Sequence, residues 1–148
     1  MSMLRFLSSS VMFFIVLSVS GCGWEGKSNY SISGTITGVV GAVTLQNKGT
    51  DDLIIKKDGE FTFKTLVPLD GSYAVTASPS NGLNCIVADG SGKVSGTVTN
   101  VQINCSLEEG VQVGHFIDSP VAGLRYEAHP SQYRGETDAD GNFLYKNG

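Results

Sequence analysis

The sequence predicts an all-β protein, and three observations carry that prediction. Apolar and polar residues alternate at a period of two from Tyr30 to Ser106, the pattern of strands buried on one face. Nineteen glycines in 148 residues, accompanied by many Thr, Val and Ser, give a composition of short strands and tight turns. Beyond the N-terminal apolar run, no stretch repeats its apolar positions at helical spacing. About seven short strands with regular turns make an antiparallel β-sandwich the expected architecture. The balance of 10 basic against 14 acidic residues, net −4, excludes a surface that binds nucleic acid by neutralising phosphates.

The N-terminus reads as an address. Arg5 precedes an apolar run, Phe6 to Val19, that is interrupted by Ser8-Ser9-Ser10. A membrane-spanning helix needs about 20 mostly apolar residues, so this run fits the core of an export signal better. Val19-Ser20-Gly21-Cys22 then resembles the bacterial lipobox, a branched apolar residue and two small residues before the cysteine that becomes lipidated. The resemblance implies a signal peptide over 1–21, cleavage after Gly21, and acylation of Cys22. Several tens of buried methylenes at about 0.8 kcal/mol each hold such a chain stably in a bilayer. By resemblance to Gram-negative lipoproteins, Gly23 rather than Asp after the cysteine implies passage to the outer membrane. Residues 22–29 become a short lipidated tether, with Trp24 placed near the headgroups. An ordinary signal peptide with a coincidental cysteine is the competing reading.

The exported part follows in order. Ile32/Gly34/Ile36 form the inward face of a first strand and Val43/Leu45 that of a second. Leu53/Ile55 and Phe61/Phe63 flank Lys57-Asp58-Gly59-Glu60, which predicts a hairpin, because Asp-Gly suits a type I′ turn with positive φ at both central residues. Leu69-Asp70-Gly71-Ser72 turns into Tyr73/Val75/Ala77; Cys85/Val87 and Val101/Ile103/Cys105 complete the series. With Cys22 acylated, Cys85 and Cys105 remain as an even pair in an oxidising compartment, which predicts a disulfide, two buried thiols being the alternative. Both cysteines share parity with inward neighbours, so the bridge would staple two strands inside the sheet or at its edge.

Residues 30–106 also resemble a family. Tyr30-Ser31-Ile32-Ser33-Gly34-Thr35-Ile36-Thr37-Gly38, Val43-Thr44-Leu45-Gln46-Asn47-Lys48-Gly49, Gly59-Glu60-Phe61-Thr62-Phe63, Tyr73-Ala74-Val75-Thr76 and Asn84-Cys85-Ile86-Val87 look like an immunoglobulin-like repeat of bacterial surface lipoproteins. The resemblance implies an Ig-like sandwich, a structural or spacer role without catalytic residues, and retention of the Cys85–Cys105 pair.

Residues 107–148 read as a linker, Leu107-Glu108-Glu109-Gly110-Val111, and a second β module. Asp140-Gly141-Asn142-Phe143-Leu144-Tyr145 repeats the grammar of Asp58-Gly59-Glu60-Phe61-Thr62-Phe63. The stretch from Phe116 through Asp118-Ser119-Pro120-Val121 and Gly123-Leu124 to Tyr145 is similar to a segment of adhesin-like surface lipoproteins, and it echoes prealbumin-like, carboxypeptidase-regulatory modules. Nothing answers to the later strands of the first module, so this second β module is expected to be incomplete, the N-terminal piece of a longer design. Its residues are expected to be partly ordered or to dock on the first module, and its half-sheet to leave an open edge for another strand.

Candidate chemistry is sparse. Asp138, Asp140 and Asn142 have the spacing of a calcium loop, though the twelfth position, where such a loop places Glu, would be 149, one past Gly148, and a hairpin turn explains the same residues. Asp51-Asp52 with Asp70 is a second acidic option, more simply a solvated loop. Asp89-Gly90-Ser91-Gly92-Lys93 fails as a phosphate loop because Val94 stands where Ser or Thr is required. His115 near Asp118-Ser119 lacks the oxyanion hole that a triad needs, and His129 precedes Pro130 in a loop. Tyr126, Tyr133, Phe143 and Tyr145 form either a sugar-binding ledge or a core face. The expectation is a non-enzymatic, cofactor-free lipoprotein of the outer membrane, periplasmic or surface-exposed, serving as a stalk or adhesin-like display module. An accessory carbohydrate- or ligand-binding module, or the anchor region of a larger secreted enzyme, is the alternative.

Overall fold

The computed structural model describes residues 26–80, 82–116, 121–130 and 132–147. Among them the protein is all-β, without helix. A short pair, β1 (Asn29–Tyr30) and β6 (Val67–Pro68), closes one end. One four-stranded sheet has the order β5 (Gly59–Thr62), β2 (Ile32–Thr37), β10 (Val98–Leu107), β8 (Leu83–Ala88). The other runs β4 (Thr50–Ile55), β3 (Val43–Asn47), β7 (Ser72–Pro79), β9 (Ser91–Lys93). Ile32, Ile36, Phe61, Val101 and Ile103 from the first sheet meet Val43, Leu45, Tyr73 and Val75 from the second in one buried core. Alternation fixes this, since each strand sends every second side chain inward. Pairing is antiparallel except between β2 and β10, which lie parallel. These are the first and last strands of the sandwich, so the chain has crossed between sheets before returning.

The expected hairpin across Lys57–Glu60 does not form. β4 and β5 belong to different sheets, and the Asp58 carboxylate accepts the Val39 N–H at 2.8 Å, anchoring the crossover. The turn with positive φ at both central residues is Lys48-Gly49 (φ 56° and 71°), joining β3 to β4. Phe61 and Phe63, 4% and 2% exposed, reach the core from the opposite sheet, and that burial outweighs the local turn preference.

Cys85 and Cys105 face each other across β8 and β10 with Cα atoms 4.0 Å apart, bonded as a disulfide. That separation belongs to the non-hydrogen-bonded type of antiparallel pair, where side chains stand closest. Both cysteines are half-buried and pack on the core.

Beyond the sandwich, β11 (Val111–His115) pairs with β14 (Asn142–Lys146), and β12 (Arg125–Ala128) pairs with β13 (Tyr133–Glu136). The connectivity repeats that of the first module. There too the strand after Asp-Gly, β5, pairs with β2, while the two strands between, β3 and β4, pair with each other. The described residues of this part dock on the sandwich. Val111 and Leu144 are buried in the same core as Leu83, with Tyr133 packed beside them.

Candidate functional site

Gly21, Cys22 and Trp24 lie outside the described residues, as do Asp118 and Ser119. The sequence candidates that are described fall into separate places, and most have structural partners.

Asp138, 4% exposed, organises the turn before β14. Its Oδ1 accepts the N–H groups of Asp140 and Asn142, each at 2.9 Å, and its Oδ2 accepts Asn142 Nδ2 at 2.9 Å. The carboxylate a calcium ion would need is thus engaged by N–H donors, and Asp140 is exposed. Among the described residues no three His, Cys, Asp or Glu side chains gather as a metal site. Asp51 and Asp52, neighbours on β4, accept the Thr65 N–H beyond β5 and Gln46 Nε2 of β3, so each is engaged within the sandwich. His115 Nδ1 stands 3.0 Å from Asn142 Oδ1 on the β11–β14 ribbon, and His129 occupies the turn after β12.

The four aromatics do not act as one ledge. Tyr133 packs on the core, whereas Tyr126 and Tyr145 gather around Phe143, together with Phe116. Ring centroids are 5.1 to 6.1 Å apart with planes tilted by 40° to 56°. Tilted rings at that spacing pack on each other and do not present a flat platform. The parity also differs from the first module. Phe61 and Phe63 point into the core, while their counterparts Phe143 and Tyr145 point away and Leu144 takes the inward place. Tyr126 Oη accepts the Leu144 N–H at 3.0 Å. Burial raises the Tyr126 pKa, and that hydrogen bond opposes the rise.

The β12–β13 ribbon has a charged face that sequence alone does not single out. Arg125 and Glu127 alternate on one strand, Arg134 and Glu136 on the other, so all four stand on one side of a two-residue period. The register sets Arg125 opposite Glu136 and Glu127 opposite Arg134. Arg134 Nη2 donates to Glu127 Oε1 at 2.9 Å, and Arg125 Nε lies 3.6 Å from Glu136 Oε1. Lys56, just after β4, reaches Glu136 Oε2 at 3.3 Å. Thr137 fixes the start of the ribbon: its hydroxyl donates to the Val121 carbonyl and accepts the Leu124 N–H. Between this face and the sandwich residues Ala42 and Ser80 lies a cleft of about 600 Å³. The signal in the sequence was the twice-repeated Arg-x-Glu, legible only once a ribbon is assumed.

Comparison of the chain with protein-family models, with curated proteins and with solved structures finds no match.

Proposed function

We propose that the chain is a non-enzymatic lipoprotein of the bacterial outer membrane, held by acylated Cys22 and acting as a stalk or display module. The observation that carries this reading is Val19-Ser20-Gly21-Cys22 after a short apolar run. The disulfide between neighbouring strands and the core shared by the sandwich and the second β part support it, because a spacer needs stiffness more than a cavity. Its partners in this reading are the membrane, through the lipid, and whatever the displayed part meets outside. Labelling cells with an alkynyl palmitate analogue tests it: the wild-type chain takes up label and Cys22→Ala does not. Equal label in both overturns the anchor.

A second reading, an accessory ligand-binding module, is favoured by the cleft beside the Arg125–Glu136 and Glu127–Arg134 pairs.

A further inference from the structure

We infer that the open edge of β11 takes up an extended segment of a partner polypeptide, one with β-branched apolar residues at every second position, as a strand parallel to β11. The inference goes beyond the display reading and is independent of the lipid anchor. It starts from the repeat. Asp140-Gly141 matches Asp58-Gly59, and the registers agree. Gly34 stands opposite Phe61 and Ile36 opposite Gly59, as Gly114 stands opposite Phe143 and Phe116 faces Gly141. β11 is therefore the counterpart of β2, and β14 that of β5. β2 is paired on both sides, with β5 on one and β10 on the other. Among the described residues β11 is paired only with β14.

The second side of β11 has the groups that pairing needs. The Phe116 N–H donates to the Gly141 carbonyl, so Gln112, Gly114 and Phe116 turn their backbone groups toward β14. Val113 and His115 turn theirs the other way, and both residues are exposed. β14 obeys the same alternation: the Leu144 N–H goes to Tyr126 Oη and the Asn142 N–H to Asp138 Oδ1, both away from β11. Such a row of outward N–H and C=O groups is a template for another strand.

What that strand must carry follows from the first module. There β10 runs parallel to β2 and sets Val101 beside Gly34 and Ile103 beside Ile36, all buried. Under that cover Ile36 is 1% exposed, and Phe61 and Phe63 are buried. Their counterparts lack it: Phe116 is 36% exposed, and Phe143 and Tyr145 are half-buried. A strand laid along β11 in the register of β10 brings its alternate apolar side chains beside Phe116 and Phe143. A second copy of the chain cannot do this. Its own β10 is already central in a sheet, and its β11 would meet this edge antiparallel about a two-fold axis, bringing Gln112 and Gly114 to the aromatic side.

The test uses the full chain in phospholipid nanodiscs and, as probe, a synthetic peptide of residues 98–107 carrying Cys105→Ser. Amide exchange is followed residue by residue by NMR. Adding the peptide slows exchange at least tenfold at Val113 and His115, and less than twofold at Gln112 and Gly114, which already bond to β14. The same peptide with Val101→Lys and Ile103→Lys has no effect. In the chain, Val113→Pro removes one outward N–H and leaves the β14 pairing intact, a change that edge strands tolerate, and it weakens peptide binding at least tenfold. Were that variant to unfold, His115→Pro replaces it, and the wild-type exchange pattern decides in either case. No slowing at Val113 and His115, equal slowing with the lysine peptide, or undiminished binding by a folded proline variant overturns the site. Protection of the two amides that appears without peptide and grows with protein concentration gives the edge to a second copy and overturns it too.

Discussion

Gly82 lies directly beneath Leu144: a Cβ on Gly82 would come within 3.2 Å of the leucine Cδ1 and 2.9 Å of the Tyr133 ring. Gly82 also has φ +93°, a conformation that costs a side chain about 1–3 kcal/mol. This glycine is where the second β part settles on the sandwich. Gly82→Ala is expected to destabilise the protein by about 1–3 kcal/mol, read from a denaturant melt. Hydrogen exchange should quicken first in β11 and β14 while β2 and β10 stay protected. Uniform loss across all four strands would contradict a local seam.

The Cys85–Cys105 bridge closes a loop with a sequence separation of 20. In the chain-entropy account such a bridge stabilises by about 3 kcal/mol. Cys85→Ser with Cys105→Ser should lower the melting temperature under non-reducing conditions, and reductant should then have no further effect. An unchanged melt would mean that the six-residue pairing of β8 with β10 suffices alone.

Asp138 serves three hydrogen bonds from one buried carboxylate. Asp138→Ala leaves those N–H donors without their acceptor and is expected to cost about 1–3 kcal/mol. Asp138→Asn keeps an oxygen for the two backbone donors and loses only the contact with Asn142 Nδ2, so it should cost less. Both are measured by chemical denaturation. With the carboxylate so engaged, calcium and chelator should give the same wild-type melt.

Tyr126 makes part of the stability depend on alkaline pH. Burial raises its folded pKa above the ordinary 10.0, so the unfolded chain loses the phenolic proton first as pH rises. Its contribution to stability is full below pH 10.0 and disappears as pH climbs through the raised value. Tyr126→Phe removes the acceptor for the Leu144 N–H, costing about 1 kcal/mol at neutral pH. The variant should lose less stability than wild type between neutral and strongly alkaline pH. Melts across that range check the sign, and parallel curves would refute it.

Local pattern carried much of the fold. Alternation placed Ile32, Ile36, Val43, Leu45, Val75, Val101 and Ile103 inward, and all are buried. Counting the cysteines, not alternation, predicted the Cys85–Cys105 bridge, which forms. Partner choice was not local. Asp58-Gly59 has the composition of a hairpin turn, yet the chain crosses to the other sheet there, because Phe61 and Phe63 are needed on the far side of the core. The charged quartet on β12 and β13 was invisible for a similar reason. Four charges in an alternating stretch look like any solvated strand until register sets Arg125 against Glu136.

By itself the sequence determined the strand-and-turn alphabet and the inward parity of the sandwich, since both depend on a two-residue period and on which residues tolerate a turn. Only the tertiary structure decided which strands pair, that Leu144 rather than Phe143 enters the core, and that a cleft opens beside Arg125. Those outcomes depend on long-range packing between segments distant along the chain, and burying apolar surface there overrides what neighbours in sequence prefer.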